Sequence, residues 1–437
     1  MTADALSLTA QRSTSDRAQL GIVLAASLVA RIGYLLLKPA SVVSLDVGMW
    51  RQAADQMMGG RNPYLTGTMV FLPLWPGLIW GMAWLARLTG LAFTTFLWAL
   101  LILAESGIIA IAFRLLRKSV SAPIARNILL LAIAFNPAAI FQVTQHGNID
   151  VLFMFWVMLA AASMIRFHEA GEPRDWLRAC LWIGLGILTK TAPVALAPLL
   201  AAGGSKLPRK TLIAGALLVF GPALLGFAII FPFAPADVWR NVVQYRSVHG
   251  YFGLSGFMGM IDGVEFPAMG PMLRLQARLF NFGLPIGMIL VGIRMWRGGW
   301  RSSAQVPLAM VLILMSILVF GTGFGPQHIY WLIPLLAVTF GTISDPNWRR
   351  VLVLGWGVIA ITYCFEYLIL SSHGQLLRTL YPKSELLYRI SLQWLTPGDQ
   401  TLMRFPMFCV FVAILIQGIR EFRGMNHTGQ SLASAAA

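Results

Sequence analysis

Gln145-His146-Gly147-Asn148-Ile149-Asp150 gathers an imidazole, two amides and a carboxylate into one short stretch between two long apolar runs. A tight turn calls for Gly and Asn, whereas Gln, His and Asp at that depth each need a partner or water. Gln145, His146, Asn148 and Asp150 are therefore candidate site residues; the plain alternative is a helix start capped by Asn148 or Asp150. Upstream, Asp46 precedes Trp50, Ala53, Ala54, Met57 and Met58, the spacing of an amphipathic helix with Arg51, Gln52, Asp55 and Gln56 on its polar face. Its carboxylate could cap that helix, or act as a general base toward a hydroxyl. Lys190 ends a short apolar run with no acid adjacent in sequence, a costly position unless the side chain snorkels or meets an anion. Gln327 and His328, in Gly325-Pro326-Gln327-His328-Ile329-Tyr330-Trp331, are polar groups beside two aromatics of interface-belt type. Arg240, Tyr245, Arg246 and His249 add cations and donors suited to a phosphate. Arg31, Glu105 and Glu366 lie inside apolar runs and read as helix–helix or headgroup contacts.

The elements that must position these groups are membrane helices. Of 437 residues, 57% are hydrophobic and 11% charged, against roughly a quarter charged in a soluble domain, which excludes a soluble enzyme. Apolar runs of about 20 residues, enough for a helix to cross a bilayer, recur from end to end. Cys180, Cys364 and Cys409 each sit in such a run without CxxC spacing and read as packing. The formal charge of +16 is carried by basic clusters in short loops, from Arg12/Arg17 and Arg114/Arg117/Lys118/Arg126 to Arg349/Arg350 and Arg420/Arg423. That is the pattern of cytoplasmic loops, and no aromatic stacking platform accompanies it to suggest nucleic acid.

Keeping all seven clusters on one side gives about twelve spans, with residues 70–88 as an interfacial or re-entrant helix. The spans fall near 18–37, 92–115, 127–145, 150–166, 176–190, 191–203, 211–231, 279–296, 305–321, 329–343, 350–370 and 403–420. Long segments at 38–91, 232–278 and 371–402 are then outside. The expected fold is an all-α polytopic transmembrane bundle with one or two interfacial helices on the outer face. One membrane domain, 18–423, is flanked by cytoplasmic tails, 1–17 and 424–437, expected to be disordered.

Four segments taken in order resemble the GT-C membrane glycosyltransferases, and within them the bacterial polyprenyl-phosphate-sugar-dependent mannosyltransferases. "LDVGMWRQAADQMMGGRNPY" followed by "FLPLWPGLIW" resembles their first outer loop; "NPAAIFQVTQHGNIDVLFMF" resembles their second polar loop. "LGILTKTAPVALAPLL" resembles their Lys-containing broken span, and "FGPQHIYWLIPLL" their P-Q-Y-x-x-W-x-x-P segment. Gly48 stands where some relatives carry a second acid, His146-Gly147-Asn148 replaces G-Q, and His328 replaces Tyr. The resemblance implies inverting transfer of a sugar from a polyprenyl-phosphate donor to a lipid, glycan or protein acceptor, outside an inner membrane crossed many times. It implies Asp46 as the base; Lys190, Arg246, Gln327 and His328 for the donor phosphate; and Gln145, His146, Asn148 and Asp150 for sugar or acceptor. No P-loop, GxGxxG after a strand, GxSxG or HExxH occurs. No cofactor or metal ligand set is expected, although a divalent metal requirement stays open. The rival reading is a transporter or flippase of a lipid-linked saccharide, which would place its polar groups at the bilayer midplane in matched halves.

Overall fold

The computed structural model describes residues 3–38, 44–65, 67, 69–243, 253–262, 270–322, 325–365 and 397–435. Among them the chain is helical with no strand. The helices are α1 (Ala3–Leu37), α2 (Leu45–Met58), α3 (Leu74–Thr89), α4 (Phe93–Ser119), α5 (Pro123–Ala134), α6 (Pro137–Phe141), α7 (Asp150–Ala170) and α8 (Pro173–Thr189). After them come α9 (Arg209–Ile230), α10 (Pro235–Val238), α11 (Gly253–Ile261), α12 (Pro271–Gly298), α13 (Gln305–Phe320), α14 (Ile333–Thr342), α15 (Pro346–Phe365) and α16 (Pro397–Ala435). Six helices are long and apolar enough to cross a membrane, or seven if α5 and the helix from Pro137 to His146 form one bent span. Helical backbone reaches into both segments set apart above as tails.

Two expected spans have a different form. The run 127–145 is bent by 46° between Ala134 and Pro137. Pro137 has no N–H to donate to the preceding turn, and the Asn136 side chain instead accepts from Ala138 N at 2.9 Å. Beyond α6 the backbone widens into a π-helix, Gln142–His146, which ends at Gly147 in the left-handed region, φ 63°. The run 191–203 is not an α-helix: Ala192–Ala201 is 3-10, with Pro198 in its interior removing an N–H donor that an α-helix would use, while Pro193 stands in the first turn, where that donor is unpaired anyway. At about 2.0 Å rise per residue it is longer than an α-helix of the same residues.

The basic clusters gather at one end of the bundle. Asp16 on α1 pairs with Arg126 at 2.7 Å and with Arg117 at 3.5 Å, and Lys118 at the end of α4 pairs with Glu169 near the end of α7. Trp176 donates to Leu200 O at 2.8 Å, joining the start of α8 to the far end of the 3-10 helix. Trp296, near the end of α12, packs on Gly204, and Ser302 contacts Met425 of α16. Both ends of α3 lie at the other end of the bundle. Its Trp75 packs on Trp50 of α2, which donates to Gly147 O, and it closes on α4 just before Leu97, which also packs against Gly147. An interfacial or re-entrant helix requires that return.

Candidate active site

The end opposite the basic clusters carries the polar residues singled out above. Helix α2 is capped by Ser44, whose hydroxyl accepts from Val47 N at 3.1 Å and donates to His146 O at 2.7 Å. Asp46 therefore is not the cap. The Trp50 indole donates to Gly147 O at 3.0 Å, and a Cβ on Gly147 would stand 2.5 Å from Val47 Cγ2. A glycine is thus needed at 147 for its left-handed φ and for the close approach of α2. This docking aims Asp46, half-buried, at the loop: its Oδ2 accepts from His146 Nε2 at 2.7 Å and from Asn148 Nδ2.

Asn148 serves both of the readings it was given. Its Oδ1 accepts from Asp150 N at 2.9 Å, starting α7, while its Nδ2 holds Asp46. Asp150 is fully buried; its Oδ1 accepts from Lys190 Nζ at 2.5 Å, and its Oδ2 has no hydrogen-bond partner among the described residues. Lys190, in extended backbone between α8 and the 3-10 helix, also lies 3.0 Å from His328 Nε2 and 5.0 Å from the Trp331 ring centre. Asp46, Asn148, Asp150, Lys190 and His328 therefore form a continuous chain of contacts drawn from four separate segments.

His328, in the 3-10 turn Pro326–Trp331, accepts from Gly325 N through Nδ1 at 3.1 Å. Burial, followed by the charge of Lys190, holds its pKa well below the usual imidazole value, so the ring is neutral. One ring nitrogen must then carry the proton. With Nδ1 accepting, the proton is on Nε2, and Nε2–H faces the Lys190 ammonium donor against donor; the other tautomer only moves the mismatch to Gly325 N. An anionic oxygen beside the pair, accepting from both Nε2–H and Nζ, would resolve it.

Other expected residues take other places. Gln145 accepts from the Tyr34 hydroxyl, tying the loop to α1. The Gln327 amide lies against Gly325, with no described hydrogen bond to Lys190 or His328. Arg240 pairs with Asp237, while Tyr245, Arg246, His249 and Glu366 lie outside the described residues. Arg31 and Glu105 pair with each other across α1 and α4, as a helix–helix contact would. Among the described residues no group of three or more His, Cys, Asp or Glu could hold a metal. Ser44, Trp50 and Tyr34 were not anticipated, because their partners lie about a hundred residues away and leave no trace in local spacing.

Residues 73–239 match the family described as dolichyl-phosphate-mannose-protein mannosyltransferase. The match, over less than half of the chain, supports a GT-C membrane glycosyltransferase. The matched stretch includes the loop from Gln145 to Asp150 and Lys190, and leaves out Asp46 and His328. No curated protein matches the chain.

Proposed function

We propose that the transferase moves a sugar from a polyprenyl-phosphate donor to a hydroxyl acceptor on the outer face of the cytoplasmic membrane, with inversion at the anomeric carbon. The observation that carries this reading is the contact chain from Asp46 through Asn148 and Asp150 to Lys190 and His328, at the end of the bundle away from the basic clusters. Basic loops face the cytoplasm, so the opposite end faces out. Asp46 takes the acceptor hydroxyl proton while the oxygen bonds to the anomeric carbon; the bond to phosphate breaks and its electron pair leaves on the phosphate oxygen. Lys190 Nζ and His328 Nε2–H stabilise that charge where it develops. Inversion needs no second carboxylate as nucleophile. His146 and Asn148 hold Asp46, and Asp150 Oδ2 is an acceptor for a sugar hydroxyl. An apolar cavity of about 600 Å³, lined by Ala195 of the 3-10 helix with Leu279, Phe280, Leu284 and Ile317, offers room for prenyl units beyond Lys190.

The test incubates the purified chain in lipid with a panel of polyprenyl-phosphate sugars and follows release of polyprenyl phosphate. Donor-dependent release is expected; movement of an intact donor across the bilayer without release would favour the flippase. The facing is checked with single cysteines at Leu65, on the Asp46 end, and at Ser121 and Ser205, on the basic end. An impermeant thiol reagent applied outside should label the first and spare the other two. Labelling at Ser121 would reverse the bundle and remove the outer-face site.

A further inference from the structure

Trp331 reads in sequence as an interface-belt aromatic, a place that keeps the indole N–H in water. In the fold it is 3% exposed, and its Nε1 is buried with no hydrogen-bond partner among the described residues. Ring contacts hold the side chain instead. It lies 4.6 Å from the His328 ring at 68° and 4.9 Å from the Phe153 ring at 51°. The 3-10 turn Pro326–Trp331 eclipses residues three apart, which brings His328 and Trp331 together. Phe153 stands three residues after Asp150, on the same face of α7. The Lys190 ammonium is 5.0 Å from the Trp331 ring centre, and it meets Asp150 Oδ1 at 2.5 Å and His328 Nε2 at 3.0 Å. A phenyl ring could pack here without burying an unpaired donor. What the indole adds is a stronger π face for a cation.

We propose that Trp331 is a positioning residue of the donor site, whose π face holds the Lys190 ammonium beside His328 Nε2. The lysine stem is flexible, and Asp150 offers it a second buried oxygen, Oδ2, that has no partner among the described residues. With the carboxylate as its only anchor, the ammonium would be free to settle between the two oxygens. Trp331 adds a fixed contact on another side, so Nζ and Nε2–H stay together, ready for one anionic oxygen before it arrives. That this oxygen belongs to a donor phosphate rests on the transferase reading. That the ring fixes the ammonium rests on the contacts of Lys190 alone.

Truncating the ring would also open a cavity between His328 and Phe153, so the test keeps its size. Mono-, di- and trifluorotryptophan are incorporated at position 331 by codon suppression, and binding of polyprenyl phosphate to the full chain in phosphatidylcholine nanodiscs is measured. Each fluorine draws electrons from the π face and weakens its hold on a cation at almost unchanged volume. The logarithm of the dissociation constant should rise in step with the number of fluorines, reaching about fivefold weaker binding, while the unfolding temperature stays level. The same series at Trp176, at the basic end, should leave binding flat. A flat series at 331 in a chain that binds polyprenyl phosphate would overturn the role of Trp331 and leave the transferase reading standing. A loss that follows the unfolding temperature rather than the fluorine count would overturn it too, as packing alone. A parent chain that binds no polyprenyl phosphate would overturn the donor site itself, and Trp331 as its positioning residue with it.

Discussion

Arg31 and Glu105 meet through two parallel hydrogen bonds of 2.7 and 2.6 Å, with both side chains out of solvent. Lys190 and Asp150 meet at 2.5 Å through one carboxylate oxygen, and the other oxygen, equally buried, has no partner among the described residues. The first pair engages both oxygens of its acid and clamps α1 to α4. The second leaves an acceptor unsatisfied on Asp150 and a donor mismatch between Lys190 and His328. A buried donor or acceptor without a partner costs free energy, which a bound polar group recovers. Two buried ion pairs, similar in composition, are thus distinguished by what they leave unsatisfied, and the incomplete one belongs to the proposed site.

The largest expected effect lies at the incomplete site. Asp46→Asn keeps an oxygen that can accept from His146 and Asn148, so the docking of α2 should survive. It cannot take a proton at neutral pH, and turnover should fall by roughly two to four decades with donor binding retained. Because Ser44 is the cap, a purely structural Asp46 predicts almost no change. Turnover within a few fold of the parent would transfer the base role to Asp150.

Breaking the closed pair should act on the fold. Arg31→Met leaves Glu105 buried and uncompensated and should cost about 3–5 kcal/mol of stability, seen as a lower unfolding temperature in detergent. Adding Glu105→Leu should recover most of it. Donor affinity of the folded fraction should be unchanged in both.

The incomplete pair should give the reverse pattern. Lys190→Met should weaken donor binding about tenfold or more, the worth of one charge-assisted contact to phosphate. Adding Asp150→Asn removes the stranded carboxylate and should recover stability while leaving donor affinity low. A double variant that regained donor affinity would make Lys190 a counter-ion for Asp150 and nothing more.

The sequence made part of this legible. Helices and the polar stretch from Gln145 to Asp150 follow from periodicity and the cost of burying polar groups; loop charge favours residues 70–88 as a re-entrant helix without excluding a span. The family resemblance supplied the grouping of Asp46 with Lys190 and His328. The links between them were not legible, because Asp46 meets His146 across 100 residues and Lys190 meets His328 across 138. The 3-10 form of Ala192–Ala201 could be sought in the five-residue spacing of Pro193 and Pro198, but prolines alone do not separate it from a kinked α-helix.

The smallest effect is expected at His328. His328→Gln keeps an N–H donor near Lys190, so donor affinity should fall only a few fold, the net worth of about one neutral hydrogen bond. Stability against pH isolates the imidazole. In the folded chain the ring stays neutral well below its usual value, whereas the unfolded chain protonates it below about pH 6.5. The unfolded state therefore binds the extra proton as pH falls, and His328 must make the parent lose stability below about 6.5, until its own folded-state pKa is reached. His328→Gln lacks that loss. Between about pH 6.5 and 5.5 the parent should lose up to roughly 1.4 kcal/mol more than the variant, measured as diverging unfolding temperatures. Parallel lines would mean that His328 already carries a proton when folded, in which case two cations rather than a neutral donor and a cation face the donor phosphate.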